Sequence, residues 1–217
     1  MKLGERIHGG LHGESRDGGS LLRQPRLYAL TTAISFGGRR RRIYDDLVHQ
    51  SGTSLGDRVL DVGCGPGYLT GRAALAVGPR GRVEGIDPSP EAITDARRGA
   101  PANTSFQIAA AEQLPFPDET FDVVLSSLAF HHIPPENRPI ALREMRRVLK
   151  TGGRLLIADF RPPRNALVRR LVGVLGGHAM QHNPVDQIPD LVTAAGLRVS
   201  GQGDQRHWLR YFTATHP

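Results

Sequence analysis

Along residues 58–213 short apolar runs alternate with stretches in which apolar positions recur every three or four residues. Apolar runs bounded by Gly, Pro, Asp and Ser predict strands at 58–62, 82–87, 104–109, 121–128, 154–160, 197–201 and 207–213. Helical spacing predicts helices at 68–77, 90–98 and 136–149, then a pair at 165–175 and 185–195. Strands that alternate with helices pair in parallel through right-handed crossovers, so the pattern predicts an α/β fold with an open, doubly wound sheet of seven strands. Only 202–206, which include Asp204-Gln205-Arg206, separate the last two strands, a connection short enough for a hairpin, and the last strand is therefore expected to run antiparallel. In such a sheet ligands sit outside the carboxyl ends of the strands, so the loops after the strands are where chemistry is expected.

The ends and one insertion depart from this alternation. Residues 1–24 carry six glycines and few apolar anchors, and are expected to form a flexible arm ahead of a single domain over 25–217. Within 25–50, Leu27, Leu30 and Ile34, then Ile43, Leu47 and Val48, predict two short helices that break at Gly37-Gly38. Between the fifth and sixth strands, 161–195 forms an insertion in which Leu167, Val168, Leu171, Val172 and Leu175 are flanked by arginines, either a lid over a pocket or a surface helix.

Composition narrows the function classes. A chain of 217 residues with 39% hydrophobic residues suits one domain with a sizeable core. No run of eighteen apolar residues exists and no apolar segment follows Lys2, so the protein is expected to be cytoplasmic, without a membrane span or secretory signal. Cys64 is the single cysteine, which excludes an internal disulfide and a cysteine-based zinc site; no metal is expected. The net charge of +7 is carried by arginine, with lysine only at Lys2 and Lys150. The run Arg39-Arg40-Arg41-Arg42 together with Arg161, Arg164, Arg169 and Arg170 is either a footprint for nucleic acid or a set of solvated faces.

The segment Val59-Leu60-Asp61-Val62-Gly63-Cys64-Gly65-Pro66-Gly67-Tyr68 is a strand that enters a glycine-rich turn and then a helix. Its glycine spacing lacks the two-residue gap of G-x-G-x-x-G, and no Gly-Lys-Ser/Thr follows, which weakens both nucleotide-phosphate readings. An acidic residue followed by G-x-G-x-G resembles the first motif of class I S-adenosylmethionine-dependent methyltransferases, whose fold is Rossmann-like. That resemblance covers about 56–160 with good motifs, including Phe121-Asp122-Val123-Val124 and Leu149-Lys150-Thr151-Gly152-Gly153. It implies S-adenosylmethionine as cofactor, S-adenosylhomocysteine as product, and a loop of Gly63, Gly65 and Gly67 with Asp61 at the cationic amino-acid end. Asp87 closes the second strand twenty residues after Gly67, where a carboxylate accepts ribose hydroxyls; the alternative is a cap for the helix opened by Pro88-Ser89-Pro90. The resemblance also points to Pro88 and Ser127, and to the Ala111 backbone and Glu112 side chain beside the adenine, unless Glu112 only caps a turn. Cys64 is read as a small packing residue.

For the acceptor, Ser126-Ser127-Leu128-Ala129-Phe130-His131-His132 follows the fourth strand, and Asp159 ends the fifth. Neighbouring strands bring these ends together, so a His131–Asp159 pair is expected, with the carboxylate orienting the imidazole as a base. The other role open to His131 is to close the pocket or order a loop, and His132 is expected to pack or to bind a backbone carbonyl. The segment is no Pro-Pro-aromatic turn of the kind that holds an exocyclic amine, and it offers no cysteine nucleophile, so no specific nucleic acid is expected. Residues 31–39, Thr-Thr-Ala-Ile-Ser-Phe-Gly-Gly-Arg, resemble the entry stretch of quinone-ring methyltransferases. The acceptor is therefore expected to be a small, fairly apolar molecule; the alternative is a relative that binds the cofactor and catalyses another reaction or acts as a binding partner.

Overall fold

The computed structural model describes residues 39–161, 185–205 and 209–217. The sheet has seven strands: β1 (Arg58–Val62), β2 (Arg82–Asp87), β3 (Thr104–Ile108), β4 (Phe121–Ser127), β5 (Leu149–Phe160), β6 (Arg198–Gln205) and β7 (Leu209–Thr215). Their spatial order is β3-β2-β1-β4-β5-β7-β6. β1 to β5 pair in parallel, and β7 inserts antiparallel between β5 and β6. The doubly wound sheet and the reversed last strand are those expected from the alternation. Strand order reverses between β1 and β4, and this opens a crevice at their carboxyl ends.

Each central strand buries both faces, which is why its sequence is a continuous apolar run. On one face Leu60, Val62, Val124, Leu155 and Ile157 pack with Leu142 and Met145 of α4 (Arg138–Val148) and Ile188 and Val192 of α5 (Ile188–Ala194). On the other face Val59, Val83, Val123, Leu125 and Leu156 meet α1 (Arg40–Gln50) and α2 (Tyr68–Val77) through Ile43, Leu47, Leu69 and Ala73. The short α3 (Pro90–Ala96) starts at Ser89, whose Oγ accepts from the Ala92 N–H at 3.1 Å, and packs Ile93 and Ala96 on Cys64 and Phe106.

Two boundaries differ from the pattern. β5 begins at Leu149, which pairs with Phe121 before the register shifts and resumes at Val123 opposite Arg154. The extra residues Thr151-Gly152-Gly153, which suggest a loop, are carried as this irregularity inside the strand. β6 runs on to Gln205 through Ser-Gly-Gln-Gly-Asp-Gln, a stretch polar enough to suggest a turn. It is an edge strand with one solvated face, and Gly203 leaves room there for the Tyr211 ring, whose hydroxyl would lie 2.6 Å from a Cβ. The expected arm over 1–24, the helix before Gly37, and the 165–175 part of the insertion lie outside the described residues. The distal part of the insertion is the one-turn 3₁₀ helix Val185–Gln187 leading into α5.

Candidate functional site

After β1 the chain turns through three glycines that face different surroundings. Gly63 sits at φ +73, and a Cβ there would overlap the Ala129 methyl of the loop after β4, so the two loops close on each other only with glycine. Gly65, at φ +52, has no atom of the described residues, its chain neighbours aside, within 4 Å of where a Cβ would stand; its missing side chain leaves open space in the crevice. Gly67 caps α2 and donates its N–H to the Cys64 carbonyl at 3.0 Å. Cys64 itself is buried, and desolvation together with the charges of Asp61 and Asp87 pushes its thiol up, so it stays protonated and packs rather than reacts.

Three carboxylates edge the same crevice, each tethered differently. Asp61, at 1% exposure, accepts from the Thr70 hydroxyl at 2.7 Å. Burial raises its pKa to about 7, against the lowering by Thr70, with the Asp87 charge adding to the rise. Asp87 accepts from the Gly65 N–H and the Ser89 N–H, both at 2.9 Å, and so ties the glycine turn to the start of α3. The helix cap is Ser89, and each Asp87 oxygen keeps a lone pair for a further donor. Glu112 accepts from the Asn137 amide at 3.0 Å, beside Ala111.

The raised Asp61 pKa has a testable sign. A carboxyl that titrates near 7 when folded and near 3.8 when unfolded binds more protons in the native state between those values. Its contribution to stability therefore falls as pH rises from about 4 to 7. Comparing the thermal unfolding of ligand-free protein with that of Asp61→Asn at pH 5 and pH 8 should show the parent losing about 2–4 kcal/mol relative to the variant. An unchanged difference would remove the buried, proton-holding carboxyl.

At the other end, Leu128 turns out of β4 at φ +56, a left-handed conformation uncommon for a branched residue, with its N–H on the Ala158 carbonyl at 2.8 Å. This places the 3₁₀ turn Phe130–His132 over the end of β5. Asp159, fully buried, accepts from the His131 backbone N–H at 2.9 Å and from the Phe160 N–H at 2.6 Å, and pairs with His131 Nδ1 at 2.7 Å. The expected pair thus forms. Its ring does not line the crevice; His132 does, with the two imidazoles 4.0 Å apart. Desolvation in the wall, reinforced by His131, lowers the His132 pKa to about 4, so that ring is neutral across physiological pH.

These parts enclose one cavity of about 350 Å³ that touches Asp61, Gly63, Gly65, Asp87, Pro88, Ala111, Glu112 and Ser127 and continues to Leu128, His132, Ile133 and Pro134. The Ser126 and Ser127 hydroxyls are buried at its wall without a partner among the described residues, which marks where a polar ligand is wanted. The sequence does not disclose Tyr44, Tyr68 and Arg40, which also line it: Tyr68 directly follows the glycines, whereas Arg40 is hidden in a run of four arginines. A donor set of carboxylates, backbone amides and hydroxyls, with no phosphate cradle, fits a cationic nucleoside. Among the described residues no cluster of metal-ligating side chains exists, and no helix is long and apolar enough to cross a membrane.

Comparison with known proteins gives the same direction. Residues 59–153 match the methyltransferase domain family. The chain is 38% identical over 195 residues to the ubiquinone/menaquinone biosynthesis C-methyltransferase UbiE of Ectopseudomonas mendocina, covering 88% of this chain and 71% of that protein. With the UbiE of Pseudomonas putida GB-1 it shares 37% over 148 residues, 66% of this chain and 57% of that one. Among solved structures, a SAM dependent methyltransferase from Aquifex aeolicus superposes with a TM-score of 0.68 at 23% identity, covering 80% of this chain and 89% of that one. The [4+2]-cyclase SpnF does so with a TM-score of 0.66 at 22%, covering 82% and 80%. At these identities the structural likeness speaks for the fold alone.

Proposed function

The chain belongs to the class I S-adenosylmethionine-dependent methyltransferases, and we propose that it methylates a small, fairly apolar acceptor, the ring carbon or hydroxyl of a quinol-like compound. The observation that carries this reading is the single cavity that runs from the Asp61–Asp87 end to the His132 wall beside the His131–Asp159 pair. When bound, S-adenosylmethionine supplies an electrophilic methyl group on a sulfonium with a neutral leaving group. Asp61 would hold its ammonium, and a cation there would favour the ionised carboxylate, so binding near neutral pH would release a proton. Asp87 takes the ribose hydroxyls while it holds Gly65 in place. Gly63 and Gly65 give the ligand access to backbone, whereas Gly67 faces Phe106 and Ala96 and serves to start α2; Pro88, Ala111 and Glu112 border the adenine, and Ser127 offers its hydroxyl.

The acceptor side is mainly apolar, from Leu128, Ala129, Ile133 and Pro134, which suits an aromatic ring better than a charged polymer. A phenolic ring becomes a strong carbon or oxygen nucleophile once its hydroxyl proton leaves, so the protein's task is alignment and proton removal. The His131 ring, 4.0 Å from that of His132, would have to come forward past His132 to take that proton at Nε2, with Nδ1–H donated to Asp159, whose charge would stabilise the imidazolium formed. His132, too weakly basic for this work, walls the ring in and accepts a hydrogen bond from it. The UbiE relatives, named as C-methyltransferases of quinone biosynthesis, support a ring carbon as acceptor. Of the candidate footprint, Arg41 pairs with Asp45 and Arg161 with Asp186 and Asp204, which supports solvated faces over a nucleic-acid footprint; Arg164, Arg169 and Arg170 lie outside the described residues.

The test is incubation with methyl-labelled S-adenosylmethionine and a panel of phenols, reduced quinols and amines, read by mass spectrometry. Label is expected in quinols or phenols. Label confined to amines, or to added RNA, would overturn the acceptor class.

A further inference from the structure

We propose that Arg40, the first residue of α1, is the carboxylate anchor of this site and clamps the amino-acid end of the cofactor against Asp61; this deepens the reading above and rests on it. The guanidinium lies 3.9 Å from the centroid of the Tyr68 ring and 5.7 Å from that of Tyr44, and the two tyrosines meet edge to face at 5.1 Å. This aromatic shelf holds Arg40 at the rim of the cavity, beside the turn that Tyr68 follows. Among the described residues its buried Nε has no hydrogen-bond partner and no acid pairs with it. The neighbouring acid on α1, Asp45, is committed to Arg72 at 2.5 Å and to Arg41 at 3.7 Å.

A guanidinium that lines a cavity and has no acid paired with it among the described residues suits an anion, and a planar fork selects a carboxylate. The same cavity buries Asp61, which is held by Thr70, a neutral residue, and which a bound cation would complete as a carboxylate. Opposite charges flanking one glycine turn match a zwitterionic α-amino acid, ammonium to Asp61 and carboxylate to Arg40. A carboxylate on the acceptor is the other source of such an anion, and the experiment separates the two.

Calorimetric titration with S-adenosylhomocysteine and with 5′-methylthioadenosine, which keeps the nucleoside and lacks the amino acid, reads the contact without turnover. Arg40→Ala should weaken S-adenosylhomocysteine by about ten- to a hundredfold and leave methylthioadenosine within about twofold. Arg40→Lys, with charge but without the fork, should fall between parent and alanine variant. Equal weakening of both ligands, or of neither, overturns the anchor and with it the cofactor as source of the carboxylate. Failure of the parent protein to bind either ligand would instead strike the methyltransferase reading itself.

Discussion

Replacing His131 with alanine is expected to lower kcat by about 10²-fold or more while the affinity for S-adenosylhomocysteine stays within about twofold. General-base catalysis supplies about 10²–10⁴-fold, and His131 is linked to the cofactor end only through the packed loop that Ala129 shares with Gly63. Asp159→Asn should cost about as much or less, because the amide keeps the size but not the charge that stabilises the imidazolium. The pH profile separates base from packing residue. The parent should lose rate on the acidic side as the base takes up a proton, the His131 variant should lose that limb, and His132→Ala should keep it while raising KM. A limb near pH 4 that only His132→Ala removes would transfer the role to the ring that lines the cavity.

Gly65→Val should weaken S-adenosylhomocysteine by roughly 100-fold or more. The left-handed φ of +52 costs a branched side chain about 1–2 kcal/mol, and the new atoms enter open cavity instead of protein. The backbone shift that relieves the strain would also pull the Gly65 N–H from Asp87. Gly63→Ala offers the contrast: its Cβ would meet Ala129, so the loss should show in thermal stability before it shows in binding. Tight binding by a folded Gly65→Val protein would show that the turn does not border the ligand.

Local signals made the strand-and-helix alternation readable, and with it the crevice, because buried parallel strands must be continuous apolar runs and a glycine turn must follow β1. The His131–Asp159 pair was readable for a topological reason: β4 and β5 are neighbours, and their carboxyl ends must meet. Which histidine faces the ligand was not, since it depends on the turn that Leu128 makes in a conformation its side chain disfavours. Arg40 was equally hidden, because four consecutive arginines look alike until α1 packs on α2 and brings Tyr68 under one of them. The double duty of Asp87, ligand acceptor and tether of the Gly65 amide, needs the distance between two loops 22 residues apart.

The account stands or falls on what occupies the cavity at the carboxyl ends of β1, β2 and β4. A crystal structure with S-adenosylhomocysteine and a reduced naphthoquinol is expected to show the amino-acid end between Asp61 and Arg40, the ribose on Asp87, and the ring against Ile133 and His132 with its hydroxyl turned to the His131–Asp159 pair. Density for the nucleoside elsewhere, or for the ring on the far side of the sheet from His131, would contradict it.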